Sequence, residues 1–156
     1  MATGFTDKGA DAFNKLINSV TAGNEAVSGF MDATAAAPNG ELSIAEYMLV
    51  NEFGSDDGKI PARPFMAQAF EKNYKRYQGI VEKSLKHIAT GKITLDQLLQ
   101  RLSIEGHNDI KTSIRDGDFK PNSEFTIAKK GSSRPLIQYG TARQSVTFRV
   151  RRGNSE

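Results

Sequence analysis

The residues of this chain whose types could do chemistry are the histidines His87 and His107, the acidic turn Asp56-Asp57-Gly58, the Gly131-Ser132-Ser133 stretch, and Glu52 beside Phe53. None stands in a working pattern. His87 and His107 lie 20 residues apart, outside any His-x-x-x-His or Glu-x-x-His context, so no zinc or di-iron site is expected. Asp56-Asp57-Gly58 lacks the alternating acidic order and closing glutamate of a calcium loop and reads as a solvated turn. Gly131-Ser132-Ser133 lacks the lysine and flanking strand of a phosphate-binding loop, and no Gly-x-Gly-x-x-Gly fingerprint occurs. Glu52 could be imagined as a general base in an apolar pocket, but neither a histidine nor a second carboxylate is near it in sequence. The preferred reading makes it structural, accepting backbone N–H bonds from the next loop. Cysteine is absent, which removes disulfides, thiolate metal sites and cysteine nucleophiles. The expectation is a protein that is not an enzyme and needs no cofactor and no metal.

The charge is unevenly placed. Residues 1–128 hold 14 Lys/Arg against 17 Asp/Glu, whereas the last 28 hold seven cations against Glu156 alone. Lys129, Lys130, Arg134, Arg143, Arg149, Arg151 and Arg152 therefore form a basic end. It could meet phosphate, meet an acidic surface of a protein partner, or be a solvated tail. No run of about 18 apolar residues occurs, and the N-terminus lacks the pattern of a secretory signal, so a soluble chain made in the cytoplasm is expected.

The elements that must position these residues follow from periodicity and punctuation. A helix is expected from Thr6 to about Gly23, through Ala10, Phe13, Ile17 and Val20. A short strand covers Ala26 to Met31. Residues 33–40, an alanine run closed by Pro-Asn-Gly, read as an exposed connection. Ser43 with Glu46 forms a capping box that opens a helix from Ile44 to about Phe53. Residues 54–59 are a loop, and the two prolines of Ile60-Pro61-Ala62-Arg63-Pro64-Phe65 hold the next stretch extended, with Pro64 suited to the first position of the helix that follows.

That helix is the longest, with Phe65, Ala69, Phe70, Tyr74, Tyr77, Val81, Leu85 and Ile88 as its apolar stripe. Gly91 ends it. Thr94 caps a second long helical stretch, bent or broken around Gly106, and the two form an antiparallel hairpin. Ser123 caps a brief helix through Thr126 and Ile127. Residues 145–152 alternate as a half-buried strand with Val146, Phe148 and Val150 inward and a basic outer face, pairing with the strand near Val27. The fold class expected is α+β: several helices, including a long central one and a helical hairpin, packed with a small, mostly antiparallel sheet. Residues 1–156 should make one domain, with flexible segments near 33–40, 54–59 and 129–134 and a frayed end at 152–156.

Two blocks carry a resemblance. Asn51-Glu52-Phe53-Gly54 leads shortly to Ile60-Pro61-Ala62-Arg63-Pro64-Phe65-Met66, and Pro121-Asn122-Ser123 is followed by Pro135-Leu136-Ile137 and Gly140. Together they resemble the virion neck and tail-completion proteins of tailed bacteriophages. In that family an Asn-Glu-Phe-Gly segment leads into Ile-Pro-x-Arg-Pro-Phe and a long helix, then into a Pro-Leu-Ile-Asp-Thr-Gly-x-Leu-x-x-Ser-Ile ending and a final strand. The likeness spans about residues 42–150. Gln138 and Tyr139 depart from the usual Asp-Thr, and Thr141-Ala142 from a polar-Leu pair, while Arg143, Ser145 and Val146 agree.

The resemblance implies a structural virion protein, a subunit of a closed ring at the head–tail junction that joins the tail to the DNA-filled head. Its partners would be further copies of itself, adjacent head-completion or portal-side and tail-tube proteins, and packaged DNA passing without sequence specificity. Such a ring has a heterologous, head-to-tail interface; a hexamer would match the tail and is favoured, and a dodecamer would match the portal. Candidate partner-interface residues are Asn51, Glu52, Phe53, Arg63, Pro64, Phe65, Arg134 and Arg143. Arg63, between two prolines, could offer its planar fork to a carboxylate or simply cover the start of the long helix. Lys129, Lys130, Arg149, Arg151 and Arg152 are candidates to face DNA in the channel or an acidic partner. The alternative is a small basic nucleic-acid-binding protein acting through the same C-terminal cluster, although no helix-turn-helix, zinc finger or aromatic stacking platform accompanies the charge.

Overall fold

A computed structural model describes residues 14, 17, 18, 22–31, 33–37, 40–124, 127, 128, 136 and 140–153. The expected first helix and the Lys129–Arg134 segment lie for the most part outside the described residues. Strand β1 (Glu25–Gly29) is followed by helices α1 (Ile44–Phe53), α2 (Phe65–Ala89) and α3 (Leu95–Asp116), a single turn α4 (Thr141–Gln144) and strand β2 (Thr147–Arg151). The class is α+β, as expected.

Local chemistry explains the boundaries. At α1 the backbone N–H of Ser43 donates to the Glu46 carboxylate at 2.8 Å, while the Ser43 hydroxyl accepts from the Glu46 N–H at 3.3 Å, a reciprocal cap. Gly54 closes the helix at φ 85°, with the position of its missing Cβ only 3.1 Å from Ala62 N and Ile60 O. Thr94 and Gln97 repeat the reciprocal cap at α3. Pro64 sits one residue earlier than expected, flanking α2 rather than forming its first residue, because Phe65 is the first with helical geometry.

The α2–α3 hairpin is antiparallel: Ile88 meets Leu98 near its closed end, and Arg76 pairs with Glu105 and Asp109 further along. These ion pairs are partly solvated and stabilise by about 1 kcal/mol or less each. Helix α3 runs unbroken through Gly106, so the break allowed for there is absent. Glycine is there for proximity, since a Cβ would lie 2.9 Å from the Ser28 hydroxyl of β1. That hydroxyl donates to the Ser103 carbonyl at 2.7 Å and fastens strand to helix.

The stripe expected on α2 is rotated in its outer half. Phe65, Ala69 and Ile88 are buried as expected, but Ile80 and Ser84 occupy the remaining core positions, and Phe70, Tyr74 and Leu85 are exposed. The main core joins Ile44, Met48, Phe65, Ala69, Ile110 and Ile114 to Leu136, Ala142 and Val146 of the C-terminal part. Of the expected exposed connection, Thr34, Ala35, Ala36 and Gly40 are exposed, but the segment is anchored. Ala37 is buried, and the carbonyls of Ala33 and Ala35 accept from Ala45 and Ile44 at 3.2 and 2.9 Å, tying the segment to the start of α1.

β1 and β2 form a two-stranded antiparallel sheet with Glu25 opposite Arg151 and Gly29 opposite Thr147. Val146 is buried, yet Phe148 is 41% exposed rather than facing inward, with its ring edge against His107 at 5.2 Å between centroids. His107 Nδ1 is buried without a hydrogen-bond partner, and burial together with Lys111 pushes its pKa below the ordinary histidine value. The fold therefore favours neutral imidazole. Because the folded pKa lies below the unfolded one, the unfolded chain takes up the proton first, and stability declines as pH falls below about 6.5. Denaturant titrations at pH 8 and pH 5 should show a smaller pH-dependent loss for His107→Gln than for the parent. Equal losses would remove His107 from the acid response.

Candidate functional site

The segment from Asn51 to Met66 knots the end of α1 to the start of α2. The Arg63 N–H donates to the Asn51 carbonyl at 2.7 Å, and the Asn51 side-chain amide donates to the Tyr47 carbonyl at 2.8 Å. Glu52 turns inward, and its two oxygens accept from the backbone N–H groups of Met66 and Ala67 at 2.9 and 3.0 Å. This bears out the structural reading of Glu52. A carboxylate on the unsatisfied donors of a helix start also faces the positive end of the helix dipole, so Glu52 does from a distance what Pro64, with no side-chain cap bond, does not.

Arg63 is 6% exposed. Its Nε donates to the Lys120 carbonyl at 3.1 Å, Nη1 to Asn51 Oδ1 at 3.0 Å and Nη2 to Asn122 Oδ1 at 3.1 Å. The fork thus holds amide and carbonyl oxygens of its own chain, and it clamps the 120–122 segment onto α1. Burial lowers its pKa. Of the residues expected at a partner interface, Asn51, Glu52, Arg63 and Phe65 are buried in the chain itself. Phe53 and Pro64 are exposed, Phe53 at 74%, and Leu49 one turn earlier is 59% exposed. Arg143 is exposed on α4, and Arg134 lies outside the described residues.

A second surface was missed in the sequence. Between β1, α2 and α3 runs an apolar groove of about 490 Å³ lined by Ala26, Phe70, Tyr74, Tyr77, Val81 and Leu102, with Ser28, Gln78 and Glu82. Phe70, Tyr74, Tyr77 and Val81 belong to the apolar stripe that helical spacing predicts on α2. Their excess over what one helix can bury was the available signal. Tyr77 donates to Asp109, and burial beside that carboxylate raises its pKa, so the hydroxyl keeps its proton.

The basic end is partly neutralised from within. Arg151 pairs with Glu25 across the ladder and Arg152 with Asp96 at 2.9 Å, while Arg149 is exposed on β2; Lys129 and Lys130 lie outside the described residues. Asp57 accepts from the Ser55 hydroxyl at 2.6 Å and the Lys59 N–H at 3.1 Å, holding the 54–59 turn together, so that turn is exposed but internally bonded. Among the described residues no three of His, Asp and Glu gather closely enough to hold a metal ion, and no helix is long and apolar enough to cross a membrane. Comparison with family models, curated proteins and solved structures gave no match to this chain.

Proposed function

We propose that this chain is a ring-forming structural subunit of a tailed-phage particle, placed at the head–tail junction. The observation that carries the reading is the presence of two apolar surfaces with no residue in common: Leu49 and Phe53 on α1, and the groove at Phe70, Tyr74 and Val81. A heterologous, head-to-tail interface needs two different patches on each subunit, and its repetition gives a ring where the rotation closes. Large side chains left exposed at two places favour association. The Asn51–Met66 block that carries the family likeness supports this indirectly, because it braces α1, the helix that presents Phe53. The adjacent head-side and tail-tube proteins, and DNA in the channel, are the partners this placement implies.

The nucleic-acid reading is less well supported, since Arg151 and Arg152 have acidic partners in their own chain. The test is to locate the subunit by cryo-electron microscopy of particles carrying the gene. A closed ring of this chain at the junction is the expected result; particles whose junction lacks it would overturn the reading. In the same particles Phe53→Glu should weaken subunit association by tenfold or more, by analogy with interface anchor residues, and leave heads without joined tails. Normal joining would exclude the α1 patch from the interface.

A further inference from the structure

A hollow of about 380 Å³ opens beside the Arg63 knot, with Tyr47, Ile60, Pro61, Arg63, Lys120 and Pro121 in its wall. Its charge is one-sided. Among the described residues of its wall Arg63, Lys120 and Lys59 are cationic, Lys59 pairs with Asp57 at 2.8 Å, and none is Asp or Glu. A guanidinium has five N–H donors, and the three bonds that Arg63 makes all end on neutral oxygens. Two donors remain on a cation that is 6% exposed, and a buried charge without a counter-charge is costly. Burial likewise lowers the pKa of Arg63, with Tyr47 acting in the opposite direction.

We propose that this hollow receives one carboxylate on a short aliphatic stem, supplied by an acidic side chain of a partner protein. The remaining N–H groups of Arg63 and the Lys120 ammonium would bind the carboxylate, and Tyr47, Ile60, Pro61 and Pro121 would pack against its methylenes. A single recess of this size suits one such group. A nucleic-acid strand would need a track of cations at repeated spacing, which these walls lack. The proposal is independent of where in a particle the chain sits.

The test follows the Arg63 Nε–H and Asn122 side-chain amide signals by nuclear magnetic resonance in the full chain at fixed ionic strength. The probes are a capped Gly-Glu-Gly peptide, glutarate, inorganic phosphate and a short single-stranded oligonucleotide. Saturable shifts with the peptide, and weaker ones with glutarate, are expected. Lys120→Glu should weaken peptide binding about tenfold or more through loss of a charge-assisted contact. Lys120 is exposed and only its carbonyl holds Arg63, so an unchanged melting temperature would show that the variant still folds. Glutarate binding more tightly than the peptide would overturn the protein source in favour of a free organic acid. Preference for phosphate or the oligonucleotide, no saturable shift, or indifference to Lys120→Glu would overturn the site itself.

Discussion

Glu52→Ala is expected to lower the unfolding free energy by about 3 kcal/mol, measured by denaturant titration of the full chain. Alanine leaves the backbone N–H groups of Met66 and Ala67 without their acceptor, and both bonds are to a charged oxygen in a buried setting. Hydrogen bonds to charged groups contribute about 1.5–3 kcal/mol each, and the two share one side chain, so their loss is less than additive. Glu52→Gln separates charge from shape. Its single carbonyl oxygen keeps one bond, while its amide NH2 is turned toward a donor, so it should recover less than half of the loss. If glutamine behaved as well as glutamate, neither the carboxylate's charge at the helix start nor its second bond would contribute.

Phe65→Ala should cost more, about 3–5 kcal/mol, because it removes a fully buried ring from the centre of the main core. Phe30 meets that ring edge to face at 5.9 Å between centroids, so the cavity would also strip Phe30 of its packing partner. Phe65→Leu keeps most of the volume and should lose roughly a third as much. The measurement is again the unfolding midpoint and its slope. A loss under about 1 kcal/mol for alanine would mean that α1 and α2 close over the gap, and the core would then be less rigid than its burial suggests.

Much of this architecture is written in local signals. The capping residues Ser43 and Thr94 start α1 and α3 where their hydroxyls can accept the third backbone N–H, and the alternation of residues 145–152 marks β2. Those signals act over a few residues and are readable one chain segment at a time. What escaped them depends on neighbours distant in sequence. Gly106 looks like a helix breaker until β1 is placed against it, and Tyr74 looks like core until Ile80 is seen to pack in the cluster with Leu98 of α3. The acceptors of Arg63 are not legible locally, because Lys120 and Asn122 lie 57 and 59 residues further along.

The β1–β2 ladder joins Glu25 to Arg151, residues separated by 126 positions. Helices can nucleate within their own segments, whereas this ladder must wait for a long loop to close, and such closures slow folding. The α2–α3 hairpin should therefore form early and the ladder late. Two strands are also marginal by themselves and depend on the helix beneath them. The same ladder that completes the fold is accordingly the part expected to open first in hydrogen exchange, while the helices it rests on stay closed.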